Sequence, residues 1–310
     1  MKALRDAFGD EILELGRENP AIFVIDCDIG KSCKTLAFSR ELPAQHVNVG
    51  IAEQNGAGVG AGMATCGRIP FVCTYATFGS MRMCEQIRQE ICYPKLNVKI
   101  ACSHGGLTPA NDGASHQGIE DYGIMRTLPN MTVVAPCDYY SCRKLVRRAA
   151  EFTGPMYMRF TRDPVPFIYD PSDEDFEIGK ARLLREGNDV TVIATGAIMS
   201  LAVEATDILQ HQGIRARLID MHTIKPIDKD AILAAIRETG AIVTVEDHNI
   251  INGLGSAVAE VVAECGQGRL KRMGIQDQFG ESGPYYELLK KNGVTAQDIA
   301  KEAKRLIEKK

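Results

Sequence analysis

Short runs of apolar, mostly β-branched residues alternate along the chain with longer segments in which apolar positions recur every three to four residues. Such alternation is typical of a parallel sheet whose strands are joined by crossover helices. In the first half, the apolar runs predict strands at 21–26, 69–75, 97–103, 131–136 and 155–160. The periodic segments predict helices near 3–17, 52–66, 79–92, 116–127 and 138–151.

The same alternation returns in the second half of the chain. Its apolar runs predict strands at 190–196, 216–221 and 241–248. Helices are predicted near 200–212 and 228–238, after the glycine-marked turn at 252–256, and twice more before the end of the sequence.

The two halves are separated by segment 163–178, which is rich in proline and acidic residues and has no apolar period. Such a composition indicates a linker. We therefore expect the α/β fold class with two domains, each a mostly parallel sheet flanked by helices. The predicted domains are 1–165 and 180–310, with the linker at 166–179.

Composition and charge narrow the class of protein. The chain is 45% apolar and 25% charged, as in folded globular proteins. Its formal net charge of −4 gives no electrostatic footprint for nucleic acid. The apolar runs are too short to span a bilayer, and the N-terminal segment 1–16 predicts an amphipathic helix, not a signal peptide. These features predict a cytoplasmic enzyme without nucleic-acid or membrane partners.

The ten cysteines are scattered, and none forms a CxxC pair. Several lie inside apolar runs, where cysteine behaves as a small hydrophobic residue. Because paired ligands are missing, buried free thiols are favoured over a zinc or iron–sulfur site. This usage suits a reducing compartment.

Common nucleotide-binding and hydrolase motifs are missing from the sequence. The glycine-rich segments 56–63 and 253–258 both fail the GxGxxG spacing of dinucleotide-binding folds. Neither a GxxxxGK[ST] phosphate loop nor a GxSxG nucleophile elbow is present. The missing motifs argue against the commonest enzyme classes with an α/β fold, which are dinucleotide-dependent enzymes, phosphate-loop enzymes and hydrolases with a nucleophile elbow.

Two segments carry candidate chemistry. GIAEQN at 50–55 places Glu53 at the start of a helix of small residues, where a carboxylate can simply complement the helix dipole. HGGLTPANDGASHQ at 104–117 holds two histidines and an aspartate around three glycines. These side chains could bind a metal, although the glycines and Pro109 favour a shaped loop that directs polar groups into a cleft.

Both segments resemble the pyrimidine-binding half of the transketolase family, which are thiamine-diphosphate enzymes. The second half, with ATGAIMSLAVEA at 194–205 and VTVEDHNIINGLGSAVAE at 243–260, is similar to the C-terminal domain of that family. The resemblance extends from about residue 3 to residue 305. It implies transfer of a two-carbon ketol unit from a ketose phosphate to an aldose or aldose phosphate.

The resemblance implies which residues hold the cofactor. Glu53 matches the catalytic glutamate that hydrogen-bonds N1′ of the aminopyrimidine. Phe78 matches the ring that stacks on the pyrimidine, and Tyr75 stands where many members have phenylalanine. Asp28 and Ile29 match positions close to the cofactor. The alternative for the aromatic residues is an ordinary place in the core.

The resemblance also implies the sugar contacts. Asp112 and His116 match residues that contact the hydroxyls of the ketose donor. His104 is expected to share hydrogen bonding or proton transfer with them, because an imidazole with a pKa near neutrality can exchange protons with a sugar alkoxide. The alternative for His104 is a structural role.

Three more residues match phosphate contacts of the family, namely Arg159, Ser32 and Arg5. Arg159 follows the residues MYM within the predicted strand 155–160, and Arg5 lies on the first helix. Guanidinium groups bind phosphate through paired hydrogen bonds, which explains the residue type. The alternative for either arginine is a solvated surface position.

Only half of a transketolase is represented. The family anchors the cofactor diphosphate with a GDG motif and a later asparagine that hold a divalent metal, and this sequence has no such element. We therefore expect no metal ligands on this chain, and a partner subunit that holds Mg²⁺ or Ca²⁺ with the diphosphate. The chain would be the C-terminal subunit of a split transketolase, in an α2β2 assembly and inactive alone.

Three alternatives remain open. A subunit similar to 1-deoxyxylulose-5-phosphate synthase has related motifs, although that enzyme is normally one long chain and often has HH where this chain has His116-Gln117. A β subunit of a 2-oxoacid dehydrogenase E1 shares the architecture but usually lacks the DGxxHQ pattern. The third is an inactive scaffold or regulatory subunit. Such a protein has no physical need for the set Glu53, Asp112, His116 and Arg159, so their presence together argues against it. The sequence does not name the sugar or the pathway.

Overall fold

The computed structural model describes residues 1–308. Within this range the strands are β1 Lys2–Ala3, β2 Ile22–Asp26, β3 His46–Asn48, β4 Ile69–Tyr75, β5 Lys99–Ser103, β6 Thr132–Val134, β7 Met156–Arg159, β8 Pro164–Val165, β9 Arg182–Arg185, β10 Val190–Ala194, β11 Ala216–Asp220, β12 Thr223–Lys225, β13 Ala241–Asn249 and β14 Arg269–Ile275.

The α-helices of the same range alternate with these strands. They are α1 Leu4–Glu18, α2 Gly30–Cys33, α3 Leu36–Glu41, α4 Glu53–Thr65, α5 Ala76–Met81, α6 Cys84–Gln86, α7 Asp121–Thr127, α8 Tyr139–Glu151, α9 Met199–His211, α10 Lys229–Glu238, α11 Leu254–Cys265, α12 Tyr285–Lys291 and α13 Ala296–Glu308. A π-helical turn covers Ile87–Cys92, and 3₁₀ turns cover Pro43–Gln45, Ala110–Asp112 and Gly196–Ile198.

The first sheet has the strand order β12-β6-β7-β5-β4-β2-β3, and every pairing in it is parallel except that of β12 with β6. Every residue of β5 is buried, as expected for a central strand that is covered by helices on both faces. The carboxyl ends of β2, β4 and β5 lie side by side, with Tyr75 opposite Ser103. Loops that leave this edge can bring their side chains together.

The second sheet has the order β14-β13-β10-β11-β9, with β9 as an antiparallel edge strand. Helices α9 and α13 pack on one face of this sheet, and α10 and α11 on the other. Strand β12 belongs by sequence to the second half of the chain, yet it pairs with β6 of the first sheet. The two halves are therefore joined by a shared sheet edge as well as by the linker.

The α/β fold class with two mostly parallel sheets is confirmed. The predicted helix 116–127 is wrong at its start, because α7 begins only at Asp121. The carbonyls of Gly118 and Ile119 accept from Gly106 and Asn249 instead of from the next helical turn. The predicted helix 79–92 is divided into α5, α6 and the π-helical turn.

All ten cysteines are free, and seven of them are buried as expected, whereas Cys66 and Cys265 are exposed. Within the described residues, every helix is too short or too polar to span a lipid bilayer. Residues 309–310 of the predicted second domain lie outside the described residues.

Candidate active site

Four aromatic rings meet at the carboxyl ends of β4 and β5. The Tyr75 ring lies 4.2 Å from the His104 ring and 5.8 Å from the Phe78 ring, between centroids. The His116 ring approaches Phe78 edge-on at 5.5 Å and Tyr75 at 6.0 Å. Residues from two separate sequence segments thus form one cluster, which we call the ring cluster.

Glu53 reaches this cluster from the first turn of α4. Its carboxylate is only 5% exposed and accepts a hydrogen bond from Nη1 of Arg82 at 3.2 Å. The same guanidinium lies 4.1 Å from the centre of the Phe78 ring. Helix α4 can approach β4 this closely because a Cβ at Gly60 would lie 2.9 Å from a methyl group of Val72. The Arg82 guanidinium therefore connects the buried carboxylate to the Phe78 ring.

His104 is held in a strained, buried position. Its φ of +61° lies in the left-handed region, where histidine is among the more tolerated residues. Its Nδ1 forms a 2.8 Å hydrogen bond with Oγ of Ser103. Burial, with smaller contributions from the charges of Arg5, Arg162 and His116, lowers the pKa of His104 to about 3. The imidazole is therefore neutral near pH 7, which favours hydrogen bonding over the predicted proton transfer.

Ser32 and Arg5 lie at the side of the ring cluster. The Tyr75 hydroxyl donates to Oγ of Ser32 at 2.9 Å, and Nη1 of Arg5 donates to the Ser32 carbonyl at 3.3 Å. Nε of Arg5 is buried and has no hydrogen-bond partner among the described residues. The structure thus brings both residues to the cluster and leaves one buried donor of the guanidinium unpaired.

Asp112 lies on the exposed rim of the 104–117 loop. Its Oδ2 accepts from Nη1 of Arg162 at 3.2 Å, and the same nitrogen donates to the Pro109 carbonyl at 3.0 Å. Arg162 comes three residues after the end of β7 and was not predicted from the sequence. Its side chain remains 37% exposed. It therefore presents a cation beside the loop that carries both histidines.

The structure does not bring Arg159 to this surface. Its side chain is 3% exposed and pairs with Asp121 at 3.1 Å, while Nη2 donates to the carbonyl of Asp247. The guanidinium also lies 4.2 Å from the centre of the Tyr122 ring. Because these groups enclose it, Arg159 is not placed to bind phosphate as predicted, and Arg162 occupies the exposed position.

Asp28 and Ile29 lie in the loop that leaves the carboxyl end of β2. Asp28 has a φ of +64° and accepts from Nδ2 of Asn48 at 3.0 Å. The Ile29 N–H donates to Oδ1 of Asp26 at 2.8 Å. These two residues thus lie at the same sheet edge as the ring cluster.

Within residues 1–308, no group of three or more histidine, cysteine, aspartate or glutamate side chains is arranged to hold a metal ion. The two histidines and the aspartate of the 104–117 loop engage other partners instead. Asp112 faces Arg162, and Nδ1 of His116 lies 3.0 Å from Oγ of Ser115.

Comparison with protein-family models identifies both halves of the chain. Residues 1–166 match the transketolase pyrimidine-binding domain. Residues 179–299 match the transketolase C-terminal domain.

Several curated relatives extend over nearly the whole chain. A putative transketolase C-terminal section from Methanocaldococcus jannaschii is 46% identical over 302 residues, which are 97% of this chain and 95% of that protein. A 6-deoxy-6-sulfo-D-fructose transketolase subunit from Clostridium sp. is 40% identical, over 99% of this chain and 95% of the relative. A 1-deoxy-D-xylulose-5-phosphate synthase from Heliobacterium modesticaldum is 34% identical, but the match covers only 46% of that longer protein.

A solved structure shows the same fold at high similarity. A split-gene transketolase, described as an inactive beta4 tetramer, superimposes with a TM-score of 0.93 and is 46% identical. The alignment covers 99% of both chains.

Proposed function

The chain belongs to the transketolase family, and from this membership we propose that it is the C-terminal subunit of a split, thiamine-diphosphate-dependent transketolase. It would transfer a two-carbon ketol unit from a ketose phosphate to an aldose acceptor. The observation that carries the proposal is the convergence of Glu53 with the ring cluster at one sheet edge. The 104–117 loop adds polar groups at the same place.

The residues present fit the aminopyrimidine end of the cofactor. A buried carboxylate at the start of α4 offers an acceptor to a ring nitrogen, and the half-buried Phe78 offers an aromatic face. When bound, thiamine diphosphate would supply the carbon nucleophile that carries the two-carbon unit. Glu53 would hold the pyrimidine by a hydrogen bond, for which Oε2 remains while Oε1 is paired with Arg82.

The sugar contacts follow from the loop and its neighbours. His116 and Asp112 would bind donor hydroxyls, and the neutral His104 would donate or accept a hydrogen bond with Ser103 fixing its ring. Two cations, Arg5 and Arg162, flank these groups and would bind the substrate phosphate. Arg162 replaces Arg159 in this role, because Arg159 is enclosed by the protein.

The proposal includes a partner subunit that carries the diphosphate-binding domain with Mg²⁺ or Ca²⁺, in an α2β2 assembly. No metal-binding group lies within the described part of this chain. A relative that matches it over 99% of its length is described as an inactive tetramer of beta chains, which supports dependence on a second chain.

Reconstitution tests the proposal. The chain is purified with the partner that binds it in native extract, and ketol transfer from xylulose 5-phosphate to ribose 5-phosphate is assayed with and without thiamine diphosphate and Mg²⁺. Cofactor-dependent transfer by the complex, and none by the isolated chain, is expected. Formation of 1-deoxyxylulose 5-phosphate by the complex would instead support the alternative related to the Heliobacterium protein.

A substitution then separates an enzyme from an inactive scaffold. Glu53→Gln should lower kcat of the complex by about 100-fold or more, because the amide cannot serve as the acid–base partner of the pyrimidine. Glu85→Gln, at an exposed position on α6, is the matched control and should leave kcat unchanged. Equal activity of the two variants would contradict the proposed role of Glu53.

A further inference from the structure

The second domain reaches the 104–117 loop through one buried carboxylate. Asp247 lies near the end of β13 and is 5% exposed. The backbone N–H of Leu107 donates to both of its carboxylate oxygens, at 3.1 and 3.2 Å. The Tyr285 hydroxyl adds a third hydrogen bond at 3.1 Å. A carboxylate that accepts several hydrogen bonds in a buried site holds its partners firmly.

The backbone beside Leu107 is shaped around this contact. Gly106 has a φ of +64°, and a Cβ there would lie 2.1 Å from Oδ2 of Asp247 and 2.3 Å from Nη2 of Arg159. Arg159 in turn pairs with Asp121 in the first domain. The buried guanidinium of Arg159 thus lies across the domain boundary from the Asp247 carboxylate. Its positive charge compensates the negative charge of Asp247 and holds that carboxylate against the loop.

The far end of the loop is held by a second segment of the same domain, residues 276–284. Nε2 of Gln117 donates to the Glu281 carbonyl at 3.0 Å, next to His116 in the sequence. A Cβ at Gly113 would lie 2.7 Å from Oγ of Ser282, so that this segment packs directly on the loop. The loop is therefore held at both ends by the C-terminal domain, while His104 and His116 belong to the ring cluster.

We propose that Asp247 is a positioning residue, through which the C-terminal domain fixes the 104–117 loop in the conformation that presents His104, Asp112 and His116 to substrate. The consequence for catalysis rests on the proposed function, whereas the effect on the loop does not. Asp247 touches neither substrate nor cofactor in this arrangement and acts through the Leu107 amide. The C-terminal domain thereby acquires a role beyond assembly.

Amide hydrogen exchange of the isolated full-length chain tests the effect on the loop. Asp247→Ala should speed exchange in residues 105–117 by about tenfold or more, the equivalent of one lost charged hydrogen bond. Peptides from β4 should keep the wild-type rate. Asp247→Asn retains an acceptor but loses the charge, and should speed loop exchange by about threefold.

A matched control removes a different contact across the same domain boundary. Arg126 on α7 donates to the Asn252 carbonyl at 3.3 Å and pairs with Glu260. Arg126→Met should leave exchange of the 105–117 segment unchanged. The proposal is overturned if that segment exchanges at the wild-type rate in the Asp247 variants. If Asp247→Ala speeds exchange in β4 as well, its effect is not confined to the loop. Exchange of the 105–117 segment in Asp247→Asn then decides whether the proposal holds.

Kinetics of the reconstituted complex then test the consequence. Asp247→Asn should raise KM for the ketose donor by about fivefold or more, because a mobile loop binds the sugar less well. The dissociation constant of thiamine diphosphate should stay within about twofold, since Glu53 and Phe78 are not on the loop. A general loss of cofactor binding would contradict positioning of the loop. If the Asp247 variants exchange faster in the loop but the wild-type complex shows no ketol transfer, the effect on the loop stands and the proposed function is rejected.

Discussion

At the scale of single residues, the two histidines of the 104–117 loop occupy different environments. His104 is buried and bonded to Ser103, and its pKa is lowered to about 3. His116 is only partly buried, and its Nδ1 faces the exposed Ser115. The two imidazoles are therefore unequal. The structure favours His104 as a fixed neutral hydrogen-bonding group and leaves His116 as the histidine that solvent and substrate can reach.

The lowered pKa of His104 predicts a pH dependence of stability. Unfolding restores the ordinary pKa of 6.5, so that the unfolded chain binds a proton between pH 6.5 and about 3 that the folded chain does not bind. The free energy of unfolding should therefore fall as the pH is lowered through this window. Relative to His104→Gln, the wild-type chain should lose about 1 to 2 kcal/mol between pH 6.5 and 5, measured by guanidinium denaturation.

The exposed His211 supplies the control for that experiment, because His211→Gln keeps the buried imidazole. Its stability curve should follow that of the wild type. If His104→Gln also follows the wild-type curve over the whole window, the imidazole is not held neutral by burial.

Arg162 predicts a change in substrate specificity. In the complex, Arg162→Met should raise KM for xylulose 5-phosphate by about 10- to 100-fold, because a charge-assisted contact to the phosphate is lost. KM for unphosphorylated xylulose should change by less than about threefold. Arg148→Met removes a surface arginine paired with Glu151 and serves as control. An equal rise of KM for both sugars would place Arg162 away from the phosphate.

Arg159 and Arg162 also show which property of single residues the sequence could not predict, namely which of two neighbouring arginines is buried. The resemblance to the transketolase family predicted Glu53, Phe78 and the two histidines, and all of them lie at one sheet edge. The sequence could not show whether Arg159 or Arg162 is the exposed arginine. Arg159 ends a strand, and Arg162 follows it in a turn without a defined period. Which of the two is buried depends on Asp121 and Asp247, which are distant in sequence.

At the scale of elements, the start of α8 is joined to the linker by one side chain. Oδ1 of Asp138 accepts from the Ser141 N–H at 2.8 Å and completes a capping box. Its Oδ2 accepts from the backbone N–H groups of Ile168 and Tyr169, at 2.8 and 3.0 Å. The helix start and the chain that leads to the second domain therefore share a fully buried carboxylate.

Asp138→Ala should accordingly cost more than an ordinary helix cap. Three N–H groups, two of them buried and one partly buried, lose their acceptor, and we expect the free energy of unfolding to fall by about 3 to 4 kcal/mol. Asp228→Ala is the comparison, since Asp228 caps α10 and accepts from only two N–H groups, of Ala231 and Ala181. That loss should be about 2 kcal/mol. Equal losses in urea denaturation would contradict the joining role of Asp138.

The elements themselves were largely predictable, for a physical reason. Apolar runs such as those in β4 and in the first half of β13 are mostly buried strands, and the strong helical period of α8 predicts its exposed and buried faces. Six strands were not predicted, namely β1, β3, β8, β9, β12 and β14. Strand β12, for example, has only three residues, which are too few to show a period. Its pairing with β6 depends on contacts between the two halves of the chain, and these are not encoded locally.

At the scale of the whole molecule, two large apolar side chains are exposed close in sequence to Glu53 and Phe78. Ile51, two residues before Glu53, is 75% exposed. Met81, three residues after Phe78, is 45% exposed. Large apolar side chains beside a functional group are typical of a surface that another protein covers. In the proposed assembly this surface would bind the partner that carries the diphosphate-binding domain.

Ile51→Arg should therefore prevent assembly without unfolding the chain. A charge introduced into a desolvated contact weakens association, by about 100-fold or more in the dissociation constant for the partner, and ketol transfer should fall in parallel. Leu183→Arg, on the edge strand β9 and 49% exposed, is the matched control and should bind the partner normally. Both variants should retain the wild-type melting temperature, because neither position is in the core. If Ile51→Arg assembles as tightly as Leu183→Arg, the partner covers some other face of the molecule, and Glu53 would then need an explanation that does not involve a second chain.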